Sequence, residues 1–244
     1  MSALAPEAGV AGDAAICRET IAKHSKSFAL ASRLLPPASR DAGVAVYAWC
    51  RYADDAVDLA GSVEEQAAAL RQLQGELDRV YAGEAQSTPA LRAFQQVVFE
   101  REIPRLYPEE LLAGMAMDVR NVDYISLEDL LLYCYRVAGV VGLMMCHVLG
   151  VRRDEALLRA AHLGMAMQLT NISRDVNEDW ERNRLYIPRH WLVERGADQI
   201  PPARGAFPVQ LEQPAANAVR DLLVLAERYY RSGDQGLRDL EFRS

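Results

Sequence analysis

Cysteine, histidine and net positive charge are all in short supply in this chain. Cys17, Cys50, Cys134 and Cys146 make no Cys-x-x-Cys pair and have no histidine at zinc spacing, which argues against a zinc ribbon or a disulfide-stapled scaffold. They read as buried free thiols of a reducing, cytoplasmic compartment. Lys and Arg number 27 against 34 Asp and Glu, a net charge of −7, so the clustered cations of a general nucleic-acid binder are missing. An anionic substrate stays open, because bound metal ions invert the local charge. No alternating run bounded by turn residues suggests a β-strand, and no glycine-rich dinucleotide loop suggests NADPH. The longest apolar run, Val137 to Val151, falls short of the roughly 20 residues that cross a bilayer and reads as a buried core helix. Residues 1–12 lack a basic stretch followed by an apolar one and read as a disordered tail, not a signal peptide.

What remains is helix. Ala, Leu, Arg and Glu dominate, and the punctuation divides the chain into roughly eight to ten helices with short connections. Pro36-Pro37 ends a first helical section, and a long helix carries Tyr47 through Leu59. Ser62 with Glu65 forms a capping box for the next, which stops near Gly83. Thr88-Pro89 opens another, Pro108 a further one toward Asn121, and Ser126 with Asp129 one that runs to Gly150. Asp154 caps the following helix, and a final one spans about Pro214 to Tyr230. The expectation is one all-α domain over residues 13–244.

Two acidic stripes carry the chemistry. Tyr47, Arg51, Asp54 and Asp58 are spaced by four, three and four positions, and Gln168, Asn171, Asp175 and Asp179 by three, four and four; each set lies along one side of a helix. Like charges four apart weaken a helix by a few tenths of a kcal/mol. An exposed, salt-bridged face fits a lone pattern of this kind. Here apolar residues such as Ala48, Trp49, Ala53 and Val57 cover the rest of the first helix, so it is expected to be buried nearly all round. Buried carboxylates need a metal or an arginine. Mg²⁺ bound to a diphosphate is the leading candidate, since Mg²⁺ takes hard oxygen ligands and completes its shell with water and phosphate oxygens. With no His or Cys on either stripe, zinc does not fit. Asp55 and Glu178 lie off the stripes and read as supporting or solvated groups.

His24-Ser25-Lys26-Ser27 fits either an ordinary serine cap or a helix start offering N–H groups and a lysine to phosphate. Arg51, Arg174 and Arg184 are further candidate phosphate clamps. Tyr135, Gly139 and Gly142 share one helix face, which suits close helix packing and also suits a tunnel for a long apolar tail. His147, His162 and His190 are isolated and read as structural.

In combination these residues are recognisable. The chain resembles the squalene/phytoene synthase family from about Cys17 to about Tyr230. The resemblance rests on His24-Ser25-Lys26-Ser27-Phe28; on Tyr47 through Arg51 with Asp54, Asp55 and Asp58; on Tyr133 through Gly142; on Gly164 with Gln168 through Asp175 and Asp179; and on Arg184-Leu185-Tyr186-Ile187-Pro188. It implies a class I isoprenoid synthase fold, an all-α helical bundle around a central cavity, and head-to-head joining of two allylic diphosphates. Carried over by position, Asp54, Asp58, Asn171, Asp175 and Asp179 would bind Mg²⁺, with Mn²⁺ as a substitute. His24, Ser25, Lys26, Ser27, Tyr47, Arg51, Gln168, Arg174 and Arg184 would contact diphosphate or substrate.

The implied chemistry is ionisation of an allylic diphosphate, attack on the cation by the second substrate, and a cyclopropyl intermediate that rearranges. Phe28, Tyr47, Tyr135 and Tyr186 are the aromatic side chains expected beside such cations. The expected substrate is geranylgeranyl diphosphate and the product phytoene. A C30 relative using farnesyl diphosphate is the alternative, and a non-catalytic scaffold a more distant one. An insoluble product is compatible with peripheral membrane contact. Family members usually continue past Leu240-Glu241-Phe242-Arg243-Ser244, so the domain is expected to be short at its C-terminus.

Overall fold

The computed structural model describes residues 7–236, and among them it contains helices and no strand. Residues 1–6 of the expected tail, the end at Leu240–Ser244 and the Ser27 side chain lie outside the described residues. In order, the helices are α1 (Glu7–His24), α2 (Lys26–Ser32), α3 (Pro37–Asp58), α4 (Val63–Tyr81), α5 (Pro89–Arg101) and α6 (Leu106–Val119). Then follow α7 (Leu127–Cys134), a π-helical turn (Tyr135–Gly139), α8 (Val140–Val148), α9 (Asp154–Arg174), α10 (Val176–Glu181), α11 (Arg189–Glu194) and α12 (Val209–Gly236). Helix α1 thus begins at Glu7, inside the stretch expected as a tail.

The chain forms two compact units, Met1–Leu112 with Met144–Val151, and Ala113–Leu143 with Arg152–Ser244. In the first, α1, α3 and α5 pack on one another. Cys17, Ile21, Val44 and Ala48 make a small buried cluster, and Trp49 stacks on Phe94 with ring centroids 4.4 Å apart. Each fully buried side chain of this size contributes roughly 1.5–3 kcal/mol. The buried Asp13 carboxylate accepts two bonds from Arg92, at 2.7 and 2.8 Å, and ties α1 to α5. Tyr52 and Gln72 donate to the buried Glu76. His147 is buried, its Nδ1 3.2 Å from the Arg101 carbonyl and its ring against Tyr107, the structural part expected of it.

In the second unit α9 and α12 form the main pair. Their core contains Leu169, Ile172, Trp180, Leu211, Ala218 and Leu222. The π-helical turn and α8 press on α9 through glycines. A Cβ added at Gly164 would lie 2.2 Å from the Ala138 carbonyl oxygen, and one at Gly142 would lie 2.4 Å from that of Ala160. Of the two readings for the small residues, close packing is therefore met. The stretch Leu127–Val148 is long and apolar enough to cross a membrane, with mean hydropathy 1.5, but half of it is buried in the protein. It is a core element.

Several helix starts follow their expected caps. The hydroxyls of Ser62 and Thr88 accept from the N–H groups of Glu65 and Leu91, and Ser126 with Asp129 makes a complete capping box. At Ser62 the box is altered, since Glu65 takes the Gly61 N–H instead. Gly83 and Gly150 adopt the left-handed conformation that ends a helix, at φ 75° and 77°. Four expectations need correction. The helix from Ser126 to Gly150 contains a π-helical turn. Asp154 is the first helical residue and Arg153 the cap position. Helix α6 starts two residues before Pro108. Helix α12 starts five residues before Pro214, which sits buried within it.

Candidate functional site

Helix α3 is one-sided. Ala45, Ala48, Trp49, Ala53 and Val57 are buried, whereas Tyr47 and Arg51 are half-buried and Asp54 and Asp58 exposed. The helix is therefore not buried all round as expected. Carboxylates are costly to bury, and the charged stripe occupies the side turned away from the apolar one. Arg51 forms an ion pair with Asp55, one turn along the same helix. Asp55, expected only as a supporting or solvated group, is thus the carboxylate that holds this arginine. The Arg51 Nε is buried and has no hydrogen-bond partner. Tyr47 lies beside Phe28, with ring centroids 6.1 Å apart, and burial pushes its phenol up.

His24 and Lys26 are exposed at the junction of α1 and α2. Between them the Ser25 hydroxyl accepts the Phe28 N–H at 3.3 Å. Ser25 is an N-cap in the ordinary sense.

The second stripe does not lie on one continuous helix. Gln168 and Asn171 are half-buried on α9, which ends at Arg174. Asp175, at φ −102° and ψ 19°, separates α9 from α10. The Asp179 N–H still donates to the Asp175 carbonyl at 2.8 Å, so the two aspartates remain one turn apart. Both Asp175 carboxylate oxygens accept from Arg174, at 2.6 Å each, and that guanidinium holds the Asp175 carboxyl below its ordinary value. Burial, followed by the negative Asp175, pushes the Asp179 carboxyl up to about 6.

Asp179 lines a small pocket with Ile172, Val176, Arg184, Tyr186 and Ile187. The Arg184 N–H donates to the Asp179 carbonyl at 2.8 Å, so Asp179, Arg184 and Tyr186 are brought together. Tyr135 is half-buried at the start of the π-helical turn. Of the remaining histidines, His162 has its Nδ1 2.9 Å from the Ser232 hydroxyl and stacks on Tyr229, and exposed His190 pairs with Glu194. Among the described residues, no three His, Cys, Asp or Glu side chains gather as a metal-holding group.

One residue of this neighbourhood escapes the sequence reading. Asp118, in the last turn of α6, accepts from Tyr186 at 2.8 Å and from Tyr133 at 2.9 Å. The two phenols lie 3.2 Å apart. Tyr124 packs edge-on against Tyr133 and tilted against Tyr186, and its hydroxyl is buried without a hydrogen-bond partner. The available signal was a lone acid closing the apolar run Leu111 to Met117.

The squalene/phytoene synthase family model matches residues 21–244. The chain is 45% identical over 230 residues to a phytoene synthase of Rhodobacter capsulatus, covering 94% of this chain and 67% of that protein. It is 42% identical to a 15-cis-phytoene synthase of Pantoea ananas, covering 93% and 74%. Among solved structures, a dehydrosqualene synthase in complex with a ligand superposes with a TM-score of 0.81 at 33% identity, over 94% of this chain and 78% of that one. The squalene synthase HpnC of Alicyclobacillus acidocaldarius gives 0.78 at 30%, over 96% and 85%. The all-α class I isoprenoid synthase fold expected from the motifs agrees with these neighbours. Ordered motifs, helical fold and similarity over more than nine tenths of the chain lead to one conclusion: the chain belongs to the squalene/phytoene synthase family.

Proposed function

We propose that this chain is a prenyltransferase that joins two molecules of geranylgeranyl diphosphate head to head. The path runs through a cyclopropyl intermediate, prephytoene diphosphate, to phytoene with release of diphosphate, a step of carotenoid biosynthesis. The observation that carries this reading is identity of 42–45%, across more than nine tenths of the chain, to proteins named phytoene synthase or 15-cis-phytoene synthase.

The side chains suit magnesium and diphosphate. Asp54 and Asp58 in the first unit, and Asn171, Asp175 and Asp179 in the second, each offer only oxygen donors, as Mg²⁺ requires, and Mn²⁺ accepts the same ligands. The elevated Asp179 carboxyl is a negative group that a cation would relieve. When bound, the metal would supply positive charge to the departing diphosphate. In the first unit Lys26 and Arg51, and in the second Arg174 and Arg184, offer positive charge and N–H donors suited to diphosphate. Tyr47, Phe28, Tyr135 and Tyr186 offer aromatic faces to positive charge on the hydrocarbon. Arg174 and Asp175 keep each other ionised, so both charges are in place before substrate arrives. The protein is proposed to act in the cytoplasm, with peripheral contact to the membrane that receives an insoluble product.

The likeness to a dehydrosqualene synthase keeps a C30 reading in view. Incubation with Mg²⁺ and either farnesyl or geranylgeranyl diphosphate separates the two. Phytoene from the C20 substrate is the expected result, and exclusive use of the C15 substrate overturns it.

A further inference from the structure

Asp118 joins three segments of the second unit that are distant in sequence. It lies in the last turn of α6, Tyr133 on α7, and Tyr186 in the connection after α10. Tyr133 and Tyr186 are both at most 5% exposed. Their hydroxyls both donate to the one carboxylate, and a carboxylate that accepts two phenolic O–H groups sits in a fixed orientation. Burial first, and the negative Asp118 second, hold both phenols well above their ordinary range. Both therefore remain protonated donors at neutral pH.

The consequence passes along the chain from Tyr186. Arg184 is two residues before it, donates its main-chain N–H to Asp179, and shares the pocket with Asp179 and Tyr186. Fixing the Tyr186 hydroxyl thus fixes the segment 184–187 from its far side. The backbone of the neighbouring connection is held as well, since the Arg189 and His190 N–H groups donate to the Tyr124 and Ile125 carbonyls at 2.8 and 3.1 Å. Ile187 is buried and leaves this segment little freedom. What Asp118 adds is a charged anchor at Tyr186, immediately beside the arginine.

We infer that Asp118 is a positioning residue: acting through Tyr186, it sets the Arg184 guanidinium beside Asp179 to receive diphosphate. This rests on the reaction proposed above, and it adds to that reaction a residue that need not touch substrate.

The test is a double-mutant cycle between Asp118→Asn and Arg184→Gln, with Tyr186→Phe as an independent way to cut the same link. Two quantities are read: kcat/KM with geranylgeranyl diphosphate, and the Kd for inorganic diphosphate in the presence of Mg²⁺ by calorimetry. Asp118→Asn and Tyr186→Phe are each expected to weaken both by about tenfold in the native background, the scale of one lost charge-assisted bond. Against Arg184→Gln, each is expected to change them by less than about twofold. A purely structural role would lower the melting temperature equally in both backgrounds, with losses that multiply. Multiplying losses, or unchanged diphosphate affinity in folded Asp118→Asn or Tyr186→Phe protein, overturn the inference. If the native chain binds diphosphate but forms no phytoene, the proposed reaction fails, and the Kd cycle still decides the role of Asp118.

Discussion

Asp175 turns both of its carboxylate oxygens onto Arg174, its immediate neighbour in sequence, at 2.6 Å each. The sequence offers Asp175 as a candidate metal ligand and Arg174 as a candidate phosphate clamp. In the structure they form an ion pair at the junction where α9 ends and α10 begins.

Under the proposed reaction, Asp54→Asn and Asp175→Asn are each expected to lower kcat by about 100-fold or more, the scale of losing one charge-stabilising group. Asp54 is exposed, so its variant should melt level with the native chain, whereas Asp175→Asn gives up a charged acceptor of two Arg174 bonds and should melt slightly lower. Product formation from labelled geranylgeranyl diphosphate, with a parallel thermal melt, checks both. Full activity in both variants contradicts the metal assignment.

Gly164→Ala is expected to destabilise the protein by about 1–3 kcal/mol, as overpacking does. The new methyl would meet a backbone carbonyl at 2.2 Å, and backbone cannot swing aside as a side-chain tip can. Gly12→Ala, where the added Cβ meets nothing within 4 Å inside helix α1, is the control and should be neutral to stabilising by up to about 1 kcal/mol. Urea unfolding of the two variants gives the comparison.

His162 supplies a pH dependence. Burial lowers its pKa below the ordinary 6.5, so the folded protein takes up a proton less readily than the unfolded chain. Stability from the neutral form is fully present above about 6.5 and declines as pH falls through that value toward the folded one. The His162→Gln variant should show a flatter profile between pH 8 and pH 5. Urea unfolding across that range reads it, and parallel profiles would remove His162 as the cause.

Phe94→Ala should cost about 3–5 kcal/mol, the usual penalty for emptying a fully buried aromatic position. Phe94 is 0% exposed and stacks on Trp49. Tryptophan fluorescence during denaturant unfolding would report both the loss of stability and the altered surroundings of Trp49.

Local chemistry was legible and long-range chemistry was not. The caps at Ser62, Thr88 and Ser126 depend on atoms three residues away, so the sequence displays them directly. The π-helical turn at Tyr135–Gly139 coincides with the close approach of Ala138 and Gly139 to Gly164, a contact invisible in a local window. The interruption at Asp175 leaves no mark in the sequence, because Arg174, Asp175 and Val176 are all acceptable in a helix. The two acidic stripes show in the sequence because their spacing is periodic, whereas the exposure of the first does not: one apolar side is enough to explain its composition. Asp118, Tyr133 and Tyr186 have no periodic relation, and only the fold brings them to one carboxylate.

At Gly142 and at Gly164 the helices meet main chain to main chain, against the Ala160 and Ala138 carbonyls. A seam of that kind has no rotamers to change and no atoms to trim, so it acts as an incompressible spine. Any adjustment of packing around it must come from bulkier neighbours. Met165, whose unbranched thioether side chain reshapes readily, is the first place to seek it.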